Sequence, residues 1–203
     1  MISSLTAENL ACARGDRVLF EGLNFRLERG HALAVEGANG AGKTSLLRLL
    51  AGFLGPKSGH LLLVTDQGES DDGEERGKYI GWLGHQDGLK PQLTVGEQLS
   101  FFAALYRGQI GDLADCDAAL DEVGLTRQKH FPCRFLSAGQ RRRLGLARLM
   151  LSARPLWLLD EPLAALDSDG EALVRRLMTR HCETGGLLIA ATHAPLGVPA
   201  IRL

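Results

Sequence analysis

The run Gly37-Ala38-Asn39-Gly40-Ala41-Gly42-Lys43-Thr44-Ser45 has the spacing of a phosphate-binding loop. Its glycines let successive backbone N–H groups turn inward around phosphate oxygens, Lys43 adds a cation near the β- and γ-phosphates, and Thr44 offers a hydroxyl to Mg²⁺. Such a loop points to a nucleotide and is silent on what hydrolysis drives, since unrelated kinases and GTPases carry it. A second string, Leu136-Ser137-Ala138-Gly139-Gln140, places Ser137 and Gln140 at capping-box spacing. It therefore opens a helix carrying Leu144, Ala147 and Leu151, and a helix start favours anions. Two further polar pairs, Asp160-Glu161 and Thr192-His193, each follow an apolar run. A histidine so placed is by itself more often structural than catalytic.

The elements that must position these groups follow from the pattern of apolar residues. Val18 to Phe25 and Ala32 to Glu36 read as strands, the second running straight into the glycine loop. Leu46, Leu47, Leu49 and Leu50 mark a helix ended by Gly52 and Gly55-Pro56, and Leu61 to Val64 reads as another strand. The acidic stretch from Asp66 to Gly77 reads as a solvated loop. From Thr94 and Glu97, again at capping-box spacing, the period becomes helical, with Leu99, Phe102, Ala103 and Tyr106 on one face. Cys116 to Val123 predicts a further helix closed by Gly124. Leu156 to Leu159 and Leu187 to Ala191 read as buried strands flanking a helix from about Asp169 to His181. Strands alternating with helices predict an α/β fold with a mostly parallel sheet, whose ligands bind beyond the C-terminal strand ends.

The 203 residues suffice for one domain with a continuous core, and 45% hydrophobic with 23% charged residues is globular composition. Acidic and basic residues nearly cancel, to a net charge of −1, so a nucleic-acid surface is not expected, although Arg141, Arg142, Arg143 and Arg148 could form a local basic patch. No window approaches the roughly 18 apolar residues of a membrane span, and the first residues lack signal-peptide character, which predicts a cytoplasmic location. Cys12, Cys116, Cys133 and Cys182 form no CxxC pair and read as reduced thiols.

With Gly37 to Thr44, Leu136 to Gln140, Asp160-Glu161, Ala165-Leu166-Asp167 and His193 in this order, the chain resembles the ATP-binding subunits of ABC transporters along almost its whole length. The resemblance implies a P-loop NTPase fold of the ABC type: a single domain over residues 1–203, with a mostly parallel core sheet, an antiparallel β portion and a helical subdomain inserted at about residues 89–152. It implies ATP as substrate with Mg²⁺. Gly37, Ala38, Asn39, Gly40, Ala41, Gly42, Lys43, Thr44 and Ser45 would bind its phosphates. Asp160 would be the Walker B aspartate, reaching the metal mostly through water, and Glu161 would polarise the attacking water. Gln86 matches the Q-loop glutamine, able to touch metal or water; without this company it would read as an exposed loop residue. His193 would contact the γ-phosphate, and Asp167, otherwise a helix cap, would lie at a dimer interface. Ser137, Gly139 and Gln140 would close over ATP held by a second copy, making an ATP-dependent homodimer.

Two departures from the family pattern stand out. Arg14 occupies the place of an adenine-stacking aromatic, which predicts weak base discrimination, with Phe20 as the first alternative platform; Ala138 replaces a common glycine. Trp82-Leu83-Gly84-His85-Gln86, Gly88-Leu89-Lys90 and Thr192-His193-Ala194-Pro195-Leu196 are further similar to the ATPase subunits of bacterial haem exporters serving c-type cytochrome biogenesis. That implies docking on integral membrane permease subunits at the cytoplasmic face of the inner membrane, with haem involved only indirectly. His85 would then be a polar neighbour of Gln86 and not a haem ligand. The competing readings are an ABC ATPase for another small substrate or a lipid, a soluble ABC ATPase acting on nucleic acid or ribosomes, and a P-loop kinase, which would leave Leu136 to Gln140 without a purpose.

Overall fold

The computed structural model describes residues 1–86, 88–107 and 113–203. The chain begins with a long antiparallel hairpin, β1 (Ile2–Arg14) and β2 (Arg17–Glu28), whose other neighbours β4 (Ser58–Thr65) and β5 (Gly68–Ser70) complete a sheet in the order β2-β1-β4-β5. A second sheet, in the order β6-β7-β8-β3-β9, contains β3 (Ala32–Glu36), β6 (Ile80–Leu83), β7 (Leu156–Asp160), β8 (Leu187–Ala191) and β9 (Ala200–Arg202). Its β7, β8, β3 and β9 run parallel, and β7 and β8 are buried along their whole length, as expected of strands covered on both faces.

Between β3 and β4 lies α1 (Lys43–Leu50), whose Leu46, Leu47, Leu49 and Leu50 are wholly inaccessible. They pack against β7 and β8 on one side and β1 on the other, joining the two sheets into one core with Leu5, Leu10, Leu63, Leu158 and Ile189. Each leucine so buried contributes about 1.5–3 kcal/mol. This unit comprises residues 1–82, 155–162 and 177–203.

Residues 83–154 and 163–176 form a second unit. It contains α3 (Val95–Arg107), α4 (Leu113–Glu122) and α5 (Ala138–Leu151), packed pairwise, and the start of α6 (Ser168–Glu183), which continues into the first unit. Both anticipated capping boxes form: Thr94 with Glu97 at 2.8 and 3.2 Å, and Ser137 with Gln140 at 2.9 and 3.2 Å. No helix among the described residues is long and apolar enough to cross a membrane. All four cysteines are free thiols, and burial raises Cys12, Cys133 and Cys182 above the ordinary thiol pKa.

The apolar pattern names no strand before Val18, yet β1 forms there, and the acidic stretch is structured too. The strand β1 carries no clean alternation because its register shifts between Ala7 and Leu10, where Asn9 takes φ +47° and its N–H is held by Asn24 Oδ1 at 2.8 Å. The acidic stretch from Asp66 to Gly77 is not a plain loop: it forms β5 and a one-turn helix, α2 (Gly73–Gly77), capped by Asp72. Arg76 anchors it, 4% exposed, donating from Nε to Leu50 O at 2.7 Å and from Nη2 to Leu49 O at 3.4 Å, so that its guanidinium caps the C-terminus of α1.

Candidate functional site

Because β7, β8 and β3 are adjacent and parallel, their C-terminal ends lie along one edge, with Asp160 beside Ala191 and Ala191 beside Val35. The groups that follow these strands are thereby brought together: the glycine loop after β3, Asp160-Glu161 after β7 and Thr192-His193 after β8. The loop delivers the chain into α1 through Gly42, at φ +110°. A Cβ there would sit 3.1 Å from Leu19 Cβ and 3.2 Å from Phe20 Cδ1, so only glycine makes this turn over β2. The start of α1 has no side-chain cap and no acidic residue, leaving its first N–H groups directed at the loop's interior.

Lys43 folds back into that loop, donating to Gly37 O at 2.8 Å and Ala38 O at 3.2 Å, while its Nζ stands 3.2 Å from His193 Nε2. The same imidazole nitrogen lies 3.2 Å from Glu161 Oε1, and His193 N donates to Glu161 Oε2 at 3.3 Å. One ring nitrogen has one role at a time: Nε2 accepts from Lys43 as a lone pair or donates to Glu161 as N–H. Lys43, His193 and Glu161 are thus a linked chain in which moving one proton or one cation re-aims the others. Glu161 itself takes φ +50°, a left-handed backbone costing on the order of 1–3 kcal/mol, which is held by its N–H on Ala191 O at 2.8 Å.

Thr44 Oγ1 donates to Asp160 Oδ2 at 2.9 Å, and Asp160 is 3% exposed. A hydroxyl and a buried carboxylate held side by side are hard oxygen donors of the kind Mg²⁺ takes, directly or through water. The pair therefore fits Mg²⁺. Among the described residues no cluster of three or more His, Cys, Asp or Glu side chains could enclose a metal.

The second unit holds the other candidate residues. Ser137, Ala138, Gly139 and Gln140, with Arg143, Ala165, Leu166 and Asp167, line an open cavity of about 460 Å³. A Cβ on Gly139 would stand 3.1 Å from Ala165 O, so a glycine lets the first turn of α5 approach the Ala165 backbone. Gln140 is committed locally, its Oε1 accepting from Ser137 N. Asp167 Oδ1 accepts from Gly170 N at 2.8 Å and from Arg143 Nη2 at 3.0 Å; first that backbone N–H and then Arg143 hold its carboxyl below the usual range. Gln86 is exposed in this unit. Lys43, Thr44, Asp160, Glu161 and His193 are therefore assembled within the first unit, and Gln86, Ser137, Gly139 and Gln140 lie in the second.

Comparison with known proteins settles the lineage. The family described as ABC transporter matches residues 20–164. This chain belongs to that family. The ABC cassette is 51% identical over 199 residues, 98% of its own length and 96% of the other's, to the cytochrome c biogenesis ATP-binding export protein CcmA of Rhodopseudomonas palustris (strain BisB18). It is 47% identical, with the same coverage, to the protein of that name in Bradyrhizobium diazoefficiens. Among solved structures, the post-hydrolysis dimer of the ATP-binding cassette MJ0796 with ADP and Pi superposes with TM-score 0.81 at 24% identity, covering 98% of this chain and 94% of that one. The protein cbiO1 from Clostridium perfringens, part of the ABC transporter complex cbiONQ, superposes with TM-score 0.76 at 28% identity, over 94% and 78%. The cassette is an ATPase, and its fold is the ABC-type α/β fold expected from the sequence.

The structure also revises details of the cassette. Phe20 is 9% exposed, with its ring edge packed beneath Gly42, and is committed to the core; it is not an adenine platform. Arg14 is exposed at the end of β1, paired in register with Arg17 across the hairpin turn. The arginines of α5 form no basic patch. Arg142 and Arg148 are buried at 5% and 8% exposure, Arg141 donates to Leu136 O at 2.7 Å, and Arg143 pairs with Asp167. Sequence reasoning missed these internal roles, because a run of arginines after a helix start has the same composition whether it faces water or the fold.

Proposed function

We propose that the cassette is the ATP-hydrolysing subunit of an export complex for c-type cytochrome biogenesis. The observation that carries this is the near-full-length identity of about half its residues to several proteins named as ATP-binding export proteins of that process. Phosphoryl transfer asks a protein for charge neutralisation and in-line positioning. Lys43 and the N–H groups from Gly37 to Ser45 hold the phosphates, Lys43 leaving its carbonyl partners for γ-phosphate oxygens. Thr44, with Asp160 mostly through water and with Gln86, would hold Mg²⁺, which would supply charge neutralisation for phosphoryl transfer. Glu161 orients and polarises the attacking water, and His193 fixes Glu161 while sensing the γ-phosphate. Ser137 and Gly139, presented at the start of α5 with Gln140 as their brace, act on nucleotide held by a second copy of the chain, in an ATP-dependent homodimer. The dimeric assembly of the MJ0796 cassette supports that pairing. The dimer works at the cytoplasmic face of the inner membrane on separate permease subunits, and haem does not touch it.

The test is complementation of a bacterium deleted for its own CcmA, read by haem staining of covalent c-type cytochromes. The wild-type chain should restore the stained bands and Glu161→Gln, made at the same level, should not. Failure of the wild-type chain to restore them, although it is produced and hydrolyses ATP, would assign it to another exporter.

A further inference from the structure

The α5 helix grips the segment around Gln86 at three-residue intervals. Arg142, 5% exposed, donates from Nη1 to Gly84 O at 2.7 Å. One turn on, Leu83 Cδ1 lies only 2.7 Å from where a Cβ on Gly145 would be, so the absence of a side chain at Gly145 lets Leu83 seat against the helix. A further step along, Arg148 Nη1 comes within 3.2 Å of the Cβ position of Gly88, which holds φ +64°. From α3, Gln98 Oε1 accepts from Lys90 N at 2.8 Å. Gln86 is therefore an exposed residue between two hydrogen-bonded points, Gly84 held by α5 and Lys90 held by α3. Every one of these contacts lies inside the second unit.

We infer that Arg142 is a positioning residue for ATP hydrolysis: its buried hydrogen bond to Gly84 fixes the Gln86 segment to the helix that begins at Ser137, so that the two move as one piece. The inference rests on the reading of Gln86 as a group that meets metal or water. Arg142 is buried, and its role is to act through the Gln86 segment. A carbonyl two residues before Gln86 is a short lever, and a charge-assisted hydrogen bond to it is among the strong ones. Arg143, the next residue, points elsewhere, to Asp167, so the two neighbouring arginines tie the same helix to two different loops.

The experiment is a double-mutant cycle on ATP hydrolysis by the 203-residue chain, alone and with the membrane proteins that co-purify with it, using Arg142→Met, Gln86→Ala and the double variant. If Arg142 acts through Gln86, Arg142→Met lowers kcat about tenfold with KM for ATP within about twofold, and adds nothing further in the Gln86→Ala background. Arg142→Lys, which keeps one donor, should recover part of the loss; it also takes the place of Arg142→Met in the cycle should that variant be unfolded at the assay temperature, as read by circular dichroism. Equal fold losses with and without Gln86 would overturn the inference while leaving the role of Gln86 standing. An unchanged kcat in folded Arg142→Met would overturn it as well. Unchanged kcat in Gln86→Ala alone would remove both the role of Gln86 and the inference built on it.

Discussion

Replacing Arg76 by methionine tests how the P-loop helix is held at the end remote from its phosphates. The last carbonyls of α1 have few takers: Ala51 N goes to Leu47 O, Phe53 N to Arg48 O and Gly52 N to Leu49 O, which leaves Leu50 O to Arg76 Nε at 2.7 Å. Removing the guanidinium strands that buried carbonyl at about 1–3 kcal/mol. Loss of a cation at the helix C-terminus adds about 0.3–1 kcal/mol. Against this, the guanidinium is itself costly to bury. Desolvation pulls its pKa below the ordinary arginine value, with Asp72 and Asp71 opposing, and a methionine of similar length is relieved of that cost. The balance is a net loss of about 2 kcal/mol, or a fall in Tm of about 4–8 °C for a chain of this size. The assay is thermal unfolding followed by circular dichroism, with Arg76→Lys as a variant that keeps one donor and should fall between. A Tm for Arg76→Met within 1 °C of wild type would refute the cap as a determinant of stability.

The roles of Lys43 and Glu161 separate kinetically. Lys43→Ala should raise the Kd for ATP about 10- to 100-fold by calorimetry, the value of charged contacts made already in the ground state, whereas Glu161→Gln should keep that Kd and lose at least about 100-fold in turnover. Unchanged affinity in the first, or near-normal steady-state hydrolysis in the second, would remove the assigned role. His181 supplies a pH dependence. Its ring stacks on Trp157 at 3.9 Å between centroids and its Nε2 meets Leu187 O at 3.1 Å; burial lowers its pKa, opposed by the backbone of Leu187 and of Pro155. A lowered folded pKa means that the unfolded chain binds the proton first, so this contribution to stability is present above the ordinary value near 6.5 and declines as pH falls below it. Urea midpoints should drop from pH 7 to 5 in wild type and drop less in His181→Phe; parallel curves would exclude His181 as the titrating group.

The phosphate loop was legible because its chemistry is local. Glycine spacing, one lysine and one threonine define a backbone shape that needs no partner to be recognised, and apolar runs on either side define the strands that carry Asp160 and His193 to the same edge. The first strand was not legible, because the bulge at Asn9 breaks the alternation on which strand reading depends, and it is accommodated only by Gly59 lying opposite. A Cβ there would stand 2.3 Å from Asn9 O, a contact between segments fifty residues apart. The arginines illustrate the limit most clearly. Arg76 sits among carboxylates and Arg142 among other arginines, so composition assigns the first to a solvated loop and the second to a basic face. Both are buried, and both spend their charge on backbone carbonyls of a different element: Arg76 on the end of α1, Arg142 on the stem of the Gln86 segment.

That shared choice of target has a mechanical consequence. A guanidinium buried on a backbone carbonyl leaves a desolvated acceptor behind if it moves away, which makes leaving costly. The two arginines therefore make stiff joints, one at the far end of the helix that carries Lys43 and Thr44, the other between the helix that starts at Ser137 and the segment that carries Gln86. By contrast the Lys43, His193 and Glu161 chain, with one imidazole nitrogen facing two partners at 3.2 Å each, is built to change partners. A substitution at a fixed joint should therefore alter how its own segment is held, while one in the Lys43, His193 and Glu161 chain should alter the chemistry itself.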